Sequence, residues 1–125
     1  ANSCKRGQIK HGWGVDEFYI GAFSSNARSS TASRIESVCD AFLLASMIND
    51  SYSISRYGSS MNLCADFLMR LIIDEELAAT LPDPERSIGG VPNSREDLTV
   101  RIDNVQHTAV VLVKVMVYQR GPEFI

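Results

Sequence analysis

The chain has 125 residues, of which 45% are hydrophobic and 22% charged, and its 12 basic and 15 acidic residues give a net charge of −3. This length and composition are typical of one globular domain and exclude a disordered, collagen-like or coiled-coil chain. The acidic balance argues against a strongly basic nucleic-acid binder, although it does not exclude a local basic patch.

The N-terminal part of the chain predicts an arm, a strand and a loop in turn. Residues 1–14 are interrupted by glycines, which favours a loosely ordered arm. Residues 15–23 favour a strand because Phe18, Ile20 and Ala22 fall on one face of an extended chain. The serine-rich residues 24–30 that follow are typical of a loop.

Two helices are expected next. Ser33 and Glu36 have the capping-box spacing, with Ser30 or Thr31 as alternative caps. Apolar residues at intervals of three and four continue the first helix to about residue 49. Residues 50–60 predict a polar connection, and residues 61–80 predict a second helix that ends ahead of Pro82. The apolar stripes of the two helices include Ile35, Val38, Cys39, Phe42, Cys64, Phe67, Leu68 and Leu71.

The C-terminal third predicts a β-hairpin. Apolar and polar side chains alternate along residues 98–103, residues 104–108 can form the turn, and residues 109–120 predict a long strand in which Val113 is fully buried. The order β-α-α-β-β predicts an α+β fold, with two helices packed on one face of a small, mostly antiparallel sheet. We expect residues 1–125 to form a single domain.

The cysteines and histidines do not indicate a metal site. Zinc needs about four ligands at close spacing, whereas this chain has three cysteines without a CxxC pair and only two histidines. We therefore expect no metal and no cofactor. Cys39 and Cys64 fall on the helical stripes, which favours buried free thiols in a reducing, cytoplasmic compartment, with a disulfide between them as the alternative.

A membrane location is not expected from the hydropathy pattern. The longest apolar runs are far shorter than the roughly 20 residues that a membrane helix needs. The N-terminal residues are polar and are not followed by the apolar segment of a signal peptide.

A serine- and arginine-rich stretch, residues 24–34, is the candidate ligand site. It precedes and begins the first helix, whose N-terminal N–H groups and positive dipole end attract anions. Arg28, Ser30, Thr31 and Arg34 could therefore hold a phosphate, a carboxylate or a nucleic-acid backbone. The alternative is a capped loop without a ligand, because serine and threonine are also the usual capping residues.

Catalysis is the weakest of the functional alternatives. HExxH, GxSxG, GxGxxG and phosphate-loop motifs do not occur in the sequence. A small enzyme would need His11, His107 or Asp40 to converge in a site between sheet and helices. The sequence therefore favours a protein that is not an enzyme.

An apolar surface carries the preferred functional interpretation. The predicted strand 109–120 is apolar on both faces, whereas two helices can cover only one. Val110, Leu112, Met116 and Tyr118 would then need a partner. We predict a non-catalytic interaction or assembly domain that self-associates through this hairpin, most simply as a dimer. The alternatives are another protein partner, or an arm around Trp13 or the loop 85–96 covering the same face.

Overall fold

A computed structural model describes residues 8–10, 17–23, 29 and 31–120 of the chain. Their regular elements are one turn of 3₁₀ helix (Glu17–Tyr19) and five α-helices, α1 (Thr31–Met47), α2 (Ser51–Leu71), α3 (Glu75–Ala78), α4 (Pro84–Ser87) and α5 (Ile102–Arg120). Within these residues, β pairing is limited to two isolated antiparallel bridges, Gln8 with Phe23 and Pro92 with Val100.

The predicted α+β fold with the order β-α-α-β-β is therefore wrong. The described residues form no sheet, and the long helices α1, α2 and α5 pack against one another instead. Residues 102–120, predicted to complete a hairpin, are one continuous helix. Valine favours strands only weakly, so burial of side chains at helical spacing overrides its preference.

Helix α1 is present with Ile35, Val38, Cys39 and Phe42 buried, but it begins at Thr31, so Ser33, predicted as its cap, lies inside its first turn. Asn49 ends this segment in the left-handed conformation (φ 57°), which asparagine tolerates better than most residues. Asp50 then caps α2, because its side chain accepts a hydrogen bond from the Ser53 N–H at 3.3 Å. The predicted polar connection at 50–60 is instead the first part of α2.

Helix α2 also ends earlier than predicted. It stops at Leu71, and the extended backbone after it carries Ile73 into the core, where Ile73 exchanges backbone hydrogen bonds with Gly89 and Gly90. Asp74 starts a new short helix, since its side chain accepts from the Leu77 N–H at 2.8 Å. This cap explains why α3 begins at Glu75 as a helix separate from α2.

Polar contacts along the seam between α1 and α5 fix the direction of α5. His107 meets Glu36 near the start of the seam, and Lys114 meets Asp40 one turn further along α1. Residue numbers therefore rise together, so that α5 runs parallel to α1. Val111 faces inward and is fully buried.

The predicted strand 15–23 is wrong as well. It contains the 3₁₀ turn Glu17–Tyr19 and a sharp turn at Gly21, whose φ is 100°. A Cβ atom at Gly21 would lie 1.9 Å from the carbonyl oxygen of Leu63 on α2. The turn thus needs glycine for both its conformation and its close approach to α2.

The length and composition of the described helices can be compared with what a membrane-spanning helix needs. None of them combines the length and the apolar composition that crossing a bilayer requires.

Candidate functional site

The outward side of α5 is an apolar surface, which we call the outer face of α5. Its side chains recur at intervals of three and four and are exposed in the described structure: Ile102, Val105, Gln106, Ala109, Val110, Val113 and Met116. Val113, near the middle, is 58% exposed, and Met116 is 46% exposed. Gln106 is the single polar member of this set, so the face is almost entirely apolar over about four turns.

Two polar side chains of α5, His107 and Lys114, pair with residues of α1 instead of lying on the outer face. His107 Nδ1 lies 2.7 Å from Glu36 Oε1, and Lys114 Nζ donates to Asp40 Oδ1 at 3.0 Å, both towards α1. The hydrogen bond to Asp40 raises the pKa of Lys114 above its ordinary value. Between Val105 and Met116 the outer face therefore carries no formal charge.

The four predicted interface residues are divided between two sides of α5. Val110 and Met116 lie on the outer face, where both side chains are exposed. Leu112 is half-buried at its edge, and Tyr118 packs against the core with its hydroxyl 3.5 Å from Asp40 Oδ1. Val113 was expected to be buried and is instead central to the exposed surface, because a helix places residues 111 and 113 on different sides.

A second group of exposed apolar side chains lies where α1 meets α2. It consists of Leu44, Met47, Ile48 and Tyr52. The parallel arrangement of α1 and α5 puts this group beyond the Asp40–Lys114 pair, at the end of the seam between the two helices. We call it the end patch.

A cleft surrounds the ring of Phe18, between the 3₁₀ turn, the end of α2 and residues 92–98. The Arg70 guanidinium donates from Nε to the Phe18 carbonyl oxygen at 3.3 Å and from Nη2 to the Ile20 carbonyl oxygen at 2.5 Å. The Arg95 guanidinium lies 4.7 Å from the centroid of the Phe18 ring. We call this site the Phe18 cleft.

The cleft has two lobes that share Phe18 and Arg70. One lobe, of about 430 Å³, is also lined by Ile20, Leu63 and Asp66. The other, of about 300 Å³, is lined in the described part of the chain by apolar side chains and two arginines, namely Phe18, Arg70, Leu71, Leu77, Pro92, Arg95 and Leu98. The second lobe thus combines apolar walls with positive charge. The sequence analysis missed it, because its residues come from three distant segments.

The predicted anion site lies partly outside the described residues. Arg28 and Ser30 fall there, whereas Arg34 is exposed on the first turns of α1. Thr31 is buried, and its hydroxyl accepts a hydrogen bond from the Phe23 N–H at 3.1 Å. That hydroxyl therefore ties residue 23 to α1, and anion binding by residues 24–34 stays a prediction.

The residues considered for catalysis have separate partners. His107 is paired with Glu36, and Asp40 with Lys114 and Tyr118, while His11 lies outside the described residues. The described part of the chain brings no three His, Cys, Asp or Glu side chains together in a group that could hold a metal ion. His107 and Asp40 thus belong to the packing of α1 against α5.

The prediction of buried free thiols is confirmed for Cys39 and Cys64. Burial raises the pKa of the Cys39 thiol from its ordinary 9.0 to about 12, and burial also raises the pKa of Cys64. A thiol nucleophile needs a lowered pKa and access for its substrate. These two cysteines have neither property.

No protein-family model, curated protein or solved structure matches this chain. Its function must therefore be inferred from its own surfaces. Among the described residues, the outer face of α5 and the Phe18 cleft are surfaces whose chemistry supports such an inference.

Proposed function

We propose that this chain is a non-catalytic interaction domain that self-associates as a twofold dimer through the outer face of α5. The observation that carries the proposal is the uncharged, exposed apolar surface between Val105 and Met116. The proposed contact is thus between helices, in place of the contact between hairpins expected from the sequence.

The composition of α5 supports a covered helix. A helix on the surface of a globular protein normally has one apolar side and one polar side. The inner side of α5 packs Val111 and Thr108 into the core, yet Val113 and Met116 on the opposite side are also apolar. Contiguous exposed apolar surface of this kind usually marks an interaction site.

A second copy of the chain is the occupant that the charge distribution favours. In a twofold interface the same patch lies on both sides, so a charged patch would face like charge. The outer face of α5 avoids that repulsion because its members between Val105 and Met116 are uncharged and Lys114 pairs with Asp40 on α1. Ala109 near its middle leaves room for the two helices to approach closely.

The size of the face is compatible with a specific interface. An α-helix of the 19 residues in α5 is about 28 Å long. Two copies packed along this length would bury on the order of 1,000 Å², near the lower limit for a specific interface. We therefore expect a dimer of moderate affinity that dissociates on dilution.

The oligomeric state in solution tests the proposal. We expect light scattering at tens of micromolar to give twice the chain mass of 13.8 kDa. Val113→Glu should give a folded species of 13.8 kDa, because a carboxylate on each copy would be buried against the other. Circular dichroism verifies that the variant keeps its helices.

Two matched variants separate this surface from others. Met69→Glu changes an exposed apolar residue on α2, and Met47→Glu changes one in the end patch. Both should remain dimeric. A wild-type chain that is monomeric at this concentration, or a dimer lost through Met47→Glu and kept in Val113→Glu, would overturn the proposal.

A variant that keeps the apolar face provides a second test. In a Cys4→Ser background, a cysteine introduced as Ala109→Cys should form an intermolecular disulfide on mild oxidation, because the twofold contact brings the two α5 helices together. Asn62→Cys on the exposed side of α2 is the control and should stay unlinked. Equal cross-linking of the two variants would contradict the proposed contact.

A further inference from the structure

We propose that the smaller lobe of the Phe18 cleft binds a small organic monocarboxylate with an aromatic or alkyl body. This site shares no residue with the outer face of α5, so the inference is independent of the proposed dimer. It rests on the juxtaposition of an apolar cavity with the Arg70 guanidinium.

The cavity has the size and lining of a small-molecule site. Its volume of about 300 Å³ lies at the lower end of the range for ligand pockets, which are mostly apolar with a few polar groups. Leu77, Pro92, Leu98 and Phe18 provide apolar lining. An aromatic ring or a short alkyl chain would lose its contact with water there.

Arg70 provides the polar group that would fix the orientation of the ligand. A guanidinium has five N–H groups. The two hydrogen bonds that Arg70 makes in the described structure go to the carbonyl oxygens of Phe18 and Ile20, both neutral acceptors. These bonds hold the guanidinium in place and leave N–H groups for a carboxylate.

The charge of the lobe selects the chemical class. Its charged lining residues among those described are Arg70 and Arg95, and Arg70 is the proposed ligand contact because its hydrogen bonds go to neutral carbonyl oxygens. A monoanion would gain charge-assisted hydrogen bonds there. A phosphate dianion would lose more hydration on entering an apolar cavity of this size, so a carboxylate fits better than inorganic phosphate.

Two-dimensional NMR titration tests the site and locates it at the same time. The probes are octanoate and phenylacetate, with 1-octanol and 2-phenylethanol as uncharged controls and inorganic phosphate as the anion control. We expect saturable shifts at millimolar carboxylate for the amides of Leu77 and Leu98, with Val113 unaffected. The alcohols and phosphate should bind at least about tenfold more weakly, since each lacks one of the two contacts.

Two variants separate the proposed binding of a carboxylate by Arg70 from the structural role of its hydrogen bonds to Phe18 and Ile20. Arg70→Gln should weaken carboxylate binding about tenfold or more while leaving binding of the alcohol unchanged. Leu98→Trp keeps both arginines and fills the lobe, so it should remove binding of both probes. If Arg70→Gln unfolds the chain, Leu98→Trp still tests the site.

Three results would overturn the proposal. The first is the absence of saturable shifts with either carboxylate at tens of millimolar. The second is shifts that fall on the outer face of α5 instead of at Leu77 and Leu98. The third is equal affinity for the carboxylates and the alcohols, which would leave an apolar cavity without selectivity for anions.

Discussion

Two hydrogen bonds join Gln8 and Ser60 in the interior of the protein. The Ser60 hydroxyl donates to Gln8 Oε1 at 2.7 Å, and Gln8 Nε2 donates to the Ser60 carbonyl oxygen at 3.0 Å. The same Nε2 also donates to the Gly21 carbonyl oxygen at 3.0 Å. One buried amide therefore joins residues 8–10, the turn at Gly21 and α2, although the sequence predicted a loosely ordered arm here.

We expect Gln8→Ala to lower the free energy of unfolding by about 1–3 kcal/mol, because the buried Ser60 hydroxyl and the Gly21 carbonyl lose the partner that Gln8 provides. Urea denaturation of the single variants and of Gln8→Ala with Ser60→Ala measures the effect. The double variant should lose less than the sum of the two single losses. Additive losses would mean that the two side chains act independently.

Gly21→Ala should be among the more damaging single changes in the described part of the chain. The new Cβ would lie 1.9 Å from the Leu63 carbonyl oxygen, and φ at this position is 100°. We expect a loss of at least about 2 kcal/mol in the free energy of unfolding, measured by thermal or chemical denaturation. Gly89→Ala is the matched control, because Gly89 also has a positive φ but nothing within 4 Å of its Cβ position. Equal losses would attribute the effect to backbone conformation alone.

Val111 and Val113 should respond differently to truncation. Val111 is fully buried, whereas Val113 is 58% exposed. We expect Val111→Ala to lower the free energy of unfolding by about 1–3 kcal/mol. Val113→Ala should change it by less than about 0.5 kcal/mol. Both are measured by denaturation in a Met116→Glu background, in which the proposed dimer is absent. Similar losses at both positions would favour the strand in which the two residues share a face.

The buried thiols should make stability depend on alkaline pH. The pKa of Cys39 is raised from 9.0 to about 12 by burial, so the folded chain keeps a proton that the unfolded chain releases above its ordinary pKa. This contribution is complete below pH 9.0 and is lost as the pH rises towards about 12. Cys39→Ala should therefore weaken the fall in the free energy of unfolding between about pH 9 and about pH 11, measured by urea denaturation. An unchanged slope would contradict a buried, protonated thiol.

The spacing of apolar residues was sufficient to predict the presence of α1 and the buried residues of α1 and α2. Ile35, Val38, Cys39 and Phe42 recur at intervals of three and four, and this pattern has no reading as a strand. The start of α2 was missed because Asp50, which caps it, was grouped with the polar residues that follow. A cap immediately after the Asn49 turn was the signal available for that boundary.

From the sequence alone one could predict the helix α1, the burial of Cys39 and Cys64, and an excess of apolar residues in the C-terminal segment. Tertiary structure decided that this segment is a helix. Its apolar residues are compatible with the spacing of a strand and with that of a helix, and packing against α1 and α2 buries Thr108 and Val111 on one helical side. It also decided which side stays exposed, and it brought Phe18, Arg70 and Arg95 together from segments far apart in the chain. Periodicity acts within one element, whereas a cleft or an exposed face depends on how several elements pack.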